Sequence, residues 1–290
     1  MNSKVTTPDP GNRFAGELRR WRGVRRLSQL ELAIRADTTQ RHLSYMEQGR
    51  SRPGRTMVVR LAESLGLSPR ERNAMLHAAG YAPLFPESSL DDAALRPAIR
   101  ALEQILIGHL PCPAIVTGPR GRMVAANAAI TVLTEGVSAE LLRPPVNVLR
   151  LALHPDGVAA RVLNLAEWGQ HILQNLRDHA ARGPDPALDD LLAELRDYLP
   201  PPRPGPEHLG FAVPLRLRGA DGELRLITTL TSFATAVDVT LAELHLEAFL
   251  PADEDTAAIL AARATTPDEE ALAALPPGLL VRREHDVAGP

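Results

Sequence analysis

The side chains best suited to chemistry in this sequence cluster between residues 39 and 52. Thr39, Gln40, Arg41, Ser44 and Tyr45 fall at spacings that place them on the N-terminal end and outer face of one helix, with Leu43 and Met46 turned inward. A Gln amide matches the N6/N7 edge of adenine and an Arg guanidinium the O6/N7 edge of guanine, so Gln40 and Arg41 suit base edges in a major groove. Arg50 and Arg52 follow directly, where guanidinium groups neutralise phosphates and so position a protein without specifying sequence.

Other chemistries find no residues to carry them. The sequence has no P-loop, GxGxxG, GxSxG, HExxH or CxxC motif, so no catalytic residues, no cofactor, no metal and no enzymatic activity are expected. Cys112 is the single cysteine and reads as a packed thiol, and His171 and His179 share a helical face without carboxylate or thiol partners. Beyond residue 90 the aromatics are Trp168, Tyr198, Phe211, Phe233 and Phe249. Any cavity there is mostly aliphatic, with Trp168, Phe211 and Phe233 as candidate ligand-lining residues.

The elements that position these groups are legible from periodicity and caps. Helices are expected at about 13–25, from Ser28, from Thr39, at 57–65 and at 69–79. Ser28 with Glu31 forms a capping box, Ser68 precedes Pro69 at a first helical position, and Gly49 ends the third helix. Leu30, Ala33 and Ile34 are expected to form the inner face of the second. A Pro/Ser-rich linker, YAPLFPESSL, follows from Tyr81. An amphipathic helix over 95–110, a hairpin of strands 114–117 and 123–126, and helices to about residue 199, the longest over 163–181, come next. PPPRPGP at 200–206 breaks the chain before strand candidates at 210–217, 223–232 and 241–249. From 252 the Ala/acidic tail reads equally as helix or disorder.

The segment LSQLELAIRADTTQRHLSYMEQGRSRP, residues 27–53, resembles the helix-turn-helix of the lambda-repressor/Cro (XRE) family, through Ser28-Gln29, Glu31-Leu32-Ala33 and Met46-Glu47-Gln48-Gly49. The resemblance implies that Gln29 faces the DNA backbone and that Glu47 pairs with Arg22 of the first helix. The candidate DNA-binding set is therefore Gln29, Thr39, Gln40, Arg41, Ser44, Tyr45, Arg50 and Arg52. Asp37 stands where the family has a turn glycine, and Asp tolerates the left-handed conformation better than most residues. Thr38 replaces the usual apolar turn residue. More loosely, the segment from about 95 to 250 is similar to the ligand-binding domain of MmyB-like regulators. Pro113–Val116, Gly121–Asn127, Asn147–Arg150, His154–Asp156 and Trp168 carry that likeness. It implies a PAS-like fold and a fatty-acid-like ligand; an ordinary Leu/Ala core with dimer contacts is the other reading.

Charge divides the chain in the same place. Residues 1–85 carry 15 Lys/Arg against 7 Asp/Glu, and residues 86–290 carry 17 against 28, giving +8 and −11 within a net −3. A basic block suits a polyanion and the acidic block does not. No apolar run reaches the ~20 residues of a membrane span, and the first residues lack an apolar signal core, so a cytoplasmic location and no membrane partner are expected.

The fold class expected is multidomain α and α+β. It comprises a five-helix helix-turn-helix bundle at 1–82, a linker at 83–94, a PAS-like α+β domain with a small antiparallel sheet at 95–250, and a tail at 251–290. The functional expectation is a homodimeric transcriptional regulator on an inverted-repeat duplex DNA operator, modulated by a fatty-acid-like small molecule. An antitoxin-like or adaptor protein holding a protein partner is the alternative.

Overall fold

The computed structural model of the chain describes residues 10–181, 183–201, 213–265, 272, 273, 275, 280 and 281. It divides into two units: residues 1–89 together with 235–242, and residues 90–234 together with 243–290.

The first unit holds α1 (Pro10–Val24), α2 (Gln29–Arg35), α3 (Gln40–Glu47), α4 (Arg55–Ser64) and α5 (Pro69–Ala78). Their boundaries follow local chemistry. Ser28 and Ser68 each accept from the N–H three residues on, and Glu31 and Glu71 reach back, so both capping boxes are complete. Phe14, Leu18, Trp21, Leu32, Leu43, Met46, Leu61 and Met75 are buried in one core. Leu30 and Ile34 do not join it; they are 52% and 69% exposed, while Leu32 and Ala33 are buried. In a helix of only seven residues, one narrow stripe meets the core, and periodicity alone does not say which.

Residues 235–242, expected within the second domain, belong to this unit. Asp238 is the reason. Its Oδ1 accepts the N–H groups of Thr240 and Leu241 at 2.8 and 3.2 Å, which starts a helical turn that takes up the first two residues of the strand expected at 241–249. That turn is α11 (Val239–Ala242). Val239 N–H donates to Pro86 O at 2.8 Å and Thr240 Oγ1 to Ser88 O at 2.7 Å.

The second unit is α+β. Its helices are α6 (Arg96–Gly108), α7 (Thr131–Thr134), α8 (Val148–Leu153), α9 (Leu165–Ala180), α10 (Pro186–Asp197) and α12 (Glu254–Thr265). The strands are β1 (Ala114–Gly118), β2 (Arg122–Asn127), β3 (Leu215–Gly219), β4 (Gly222–Ser232), β5 (His245–Pro251) and β6 (Leu280–Val281). The expected small antiparallel sheet is a six-stranded mixed one, ordered β3-β4-β5-β1-β2-β6, because two tail residues pair parallel with β2. The tail also supplies α12. Of the strand expected at 210–217, residues 210–212 lie outside the described residues.

Ile115, Met123, Leu215, Leu217, Leu224, Leu226 and Phe249 pack from the sheet into one core with Trp168 and Leu173 of α9 and Leu191 and Leu195 of α10. Asn127, fully buried, pins the first hairpin. Its Oδ1 accepts Ala114 N–H at 3.1 Å, and its Nδ2 donates to Leu106 O and Cys112 O at 3.0 and 2.9 Å. Gly121 closes that hairpin at φ +76°, and a Cβ there would stand 2.8 Å from Leu149 Cγ, so both backbone and space demand glycine.

Candidate nucleic-acid interface

The recognition element is built from its anchors outward. Thr39 takes an extended conformation and its side chain accepts His42 N–H, which starts α3 at Gln40. Leu43 and Met46 are fully buried and fix the helix's rotation about its axis. Thr39, Gln40 and Arg41 are left exposed at the N-terminal end, with Ser44 and Tyr45 half-buried beside them. Arg41 Nε donates to the Tyr45 hydroxyl at 3.1 Å, and its guanidinium lies 5.4 Å from the Tyr45 ring centre. Ser44 Oγ accepts from Gln48 Nε2 at 3.0 Å. Arg50 and Arg52 are exposed after the helix.

The base of this helix is tied down by Glu47, which is 3% exposed. Arg22 Nε and Nη2 donate to its two oxygens at 2.6 and 3.1 Å, and Arg22 Nη1 donates to Leu27 O at 2.9 Å. This is the pairing that the family resemblance implies. The hydrogen bond to Glu47 holds the Arg22 guanidinium above its ordinary range, against the opposing effect of burial. Gln29 Nε2 also donates to Glu47 Oε2, at 2.6 Å, so its amide is turned to α3 and half-buried. In this arrangement Gln29 braces the end of the recognition helix.

The turn between α2 and α3 contains what motif reading missed. Asp37 adopts φ +47°, the left-handed conformation that its place in the turn demands. Arg60 of α4 holds it, with Nη1 donating to Asp37 O at 3.2 Å and lying 3.4 Å from Asp37 Oδ2. Thr38 Oγ1 pairs with His42 Nδ1 at 3.1 Å, so a hydrogen bond stands where the family packs an apolar side chain. Arg60 sits 23 residues from Asp37, and only the helix pattern around it was visible in the sequence.

Trp168 is 7% exposed inside the core, Phe233 is half-buried just after β4, and Phe211 lies outside the described residues. The other motif residues form a network around α8. Asn147 caps it through Leu149 and Arg150 N–H, Arg150 grips both oxygens of Glu194 at 2.6 and 2.7 Å, and Tyr198 donates to Glu194 at 2.6 Å.

The family model described as the MmyB-like transcription regulator ligand binding domain matches residues 98–262, more than half of the chain. The chain belongs to this family. A helix-turn-helix domain model matches residues 13–75 of the same chain. The two together are the architecture of a DNA-binding transcription regulator, with the MmyB-like domain in the position of a small-molecule-binding module. No curated protein sequence matches the chain. Among solved structures, the clp gene regulator ClgR from Corynebacterium glutamicum is 22% identical, over 36% of this chain and 97% of that one, with a TM-score of 0.23. An RNA-binding light-oxygen-voltage receptor is 17% identical, over 91% of this chain and 64% of that one, with a TM-score of 0.26. Among this chain's described residues no helix is long and apolar enough to cross a membrane.

Proposed function

We propose that this MmyB-like regulator binds an inverted-repeat DNA operator as a cytoplasmic homodimer and answers to a small apolar, fatty-acid-like ligand rather than catalysing a reaction. The observation that carries the DNA-binding part is the buried anchoring of α3 by Leu43, Met46 and Glu47, which leaves Thr39, Gln40 and Arg41 exposed at the end that enters a major groove. Gln40 and Arg41 read bases; Ser44 and Tyr45 border them. Arg50 and Arg52 contact phosphates, and Gln29 reaches the backbone if its bond to Glu47 opens.

Connectivity supports regulation. Strands β4 and β5 are joined by a segment of which residues 235–242 fold with the DNA-binding unit, so the ligand-binding sheet and the helix-turn-helix share a continuous stretch of chain. A ligand that favours one conformation of that segment shifts operator affinity by about 1–3 kcal/mol, the usual range of allosteric coupling.

The test is selection of operator sequences by the full chain, followed by fluorescence anisotropy at several salt concentrations. An inverted repeat with half-sites about one turn apart is expected. With about six to eight phosphates neutralised by the dimer, log K should fall against log salt with a slope near −5 to −7. A flat salt dependence, or a selected sequence without two-fold symmetry, would overturn the reading.

A further inference from the structure

Strand β4 outruns its outer neighbour. β3 pairs with it only from Gly222 to Leu226, whereas β5 accompanies it from Leu226 to Ser232. Among the described residues, the stretch from Ile227 to Ser232 therefore has a strand on one side only. Thr228, Thr229, Leu230, Thr231 and Ser232 are all exposed, Leu230 by 64%.

Register fixes where each backbone group of this stretch points. In an antiparallel ladder alternate residues exchange hydrogen bonds with one neighbour, and the residues between them turn to the other side. Ala252 N–H donates to Arg225 O at 2.8 Å, so Arg225, and with it Ile227, Thr229 and Thr231, turns to β5. The register with β5 runs unbroken to Ser232, so Thr228, Leu230 and Ser232 turn their N–H and C=O groups to the open side.

Nothing in this stretch blunts the edge. Natural edge strands are guarded by charged side chains, prolines or bulges. From Leu226 to Val237 the sequence LITTLTSFATAV has neither a charged residue nor a proline, and the pairing with β5 shows no register shift. Residues 86–290 carry 17 Lys/Arg against 28 Asp/Glu, so two copies repel over much of that surface. An uncharged edge is where they can meet with no like charges opposed.

We propose that two copies of the chain join through this edge, β4 of each running antiparallel to β4 of the other, so that their sheets become one across a two-fold axis. This rests on the homodimer reading above and names its interface. An axis centred on Leu230 sets Leu230 against Leu230 of the partner subunit and Thr228 against Ser232 of the partner subunit. Each such pair exchanges two hydrogen bonds, about six in all. Leu230 then packs on its own copy on one face, and Thr229 meets Thr231 of the partner subunit on the other. A second copy matches this pattern by symmetry, because an isologous interface repeats each contact.

Two substitutions act on the open side alone. Leu230→Pro removes an N–H that β5 does not use, and Leu230→Lys keeps every backbone group but opposes two like charges across the axis. The full chain is followed by sedimentation equilibrium, with the folding of each variant checked by its melting temperature. Amide exchange is read residue by residue by NMR in dilute and in concentrated protein. The wild type should be a dimer whose dissociation constant rises at least about tenfold in both variants. Exchange at Thr228, Leu230 and Ser232 should slow as the dimer forms, while Ile227, Thr229 and Thr231 stay protected throughout. A wild type that is monomeric at every concentration would remove the homodimer reading and the interface with it. A dimer untouched by both substitutions, with Thr228, Leu230 and Ser232 exchanging freely, would overturn the interface and leave the homodimer standing. Protection of those three amides already in the dilute monomer would set a segment of the chain itself along the edge and overturn the proposal.

Discussion

The Asp238 carboxylate accepts the backbone N–H of Ser88 at 3.1 Å, joining residues 150 positions apart within the DNA-binding unit. Asp238 is 6% exposed and also holds the N–H groups of Thr240 and Leu241. Asp238→Ala strands these donors, at a cost of about 1–3 kcal/mol to the local fold. Hydrogen exchange followed by mass spectrometry should show faster exchange at Ser88 and Val239 and no change in β1; unchanged protection at Val239 would refute it. Burial pushes the Asp238 carboxyl up, but the hydrogen bonds from Ser88, Leu241 and Thr240 outweigh it and hold it below its ordinary range. Its stabilisation is therefore in force above the unfolded carboxyl's range and fades as pH falls through the lowered folded value.

Glu47 is the second pivot. Glu47→Ala leaves the Arg22 guanidinium, 22% exposed, without its bidentate partner, and loss of one member of a buried pair costs about 3–5 kcal/mol. The chain has two tryptophans, Trp21 in the first core and Trp168 in the second, so a Trp168→Phe background reports the first unit alone. Urea unfolding followed by Trp21 fluorescence should shift to lower denaturant in Glu47→Ala, and by less in Glu47→Gln.

At the recognition helix the pairing of Arg41 with Tyr45 separates reading from positioning. Arg41→Ala should cost about 1–3 kcal/mol on the preferred operator and relax base preference at one position per half-site. Tyr45→Phe keeps the ring beside the guanidinium but removes the hydroxyl that accepts from Arg41 Nε, so the loss should be about 1 kcal/mol. Arg52→Ala should weaken all sequences about equally. Anisotropy titrations on the selected operator and on a scrambled duplex distinguish the three.

Glu223 offers a pH test in the second unit. Hydrogen bonds first from Arg216 and then from Arg225 hold its carboxyl at about 2, against an ordinary 4.5. A lowered carboxyl stabilises the fold above its unfolded value and loses that contribution as pH falls through the folded one, here between about 4.5 and 2. The side chain is 30% exposed, so solvent screening limits the effect to about 1 kcal/mol or less. Chemical denaturation of Glu223→Gln should differ from wild type by that amount at pH 7, and the difference should close near pH 2.

The sequence by itself determined what depends on neighbours along the chain. The Ser28/Glu31 capping box spans three residues, Ser68 directly precedes Pro69, and Thr39, Asp37 and the α3 stripe of Leu43 and Met46 are equally local, so the helix-turn-helix and its exposed polar end were legible. Arg22 with Glu47 was reachable only because the motif fixes their spacing. Tertiary structure decided what depends on packing between distant segments. It chose which stripe of α2 is buried and left Leu30 and Ile34 outside. It also paired two tail residues with β2, drew residues 235–242 into the first unit, and set Glu247 against Thr117 across 130 residues. Periodicity marks that a face exists; what covers that face is settled by register and close packing across the whole chain.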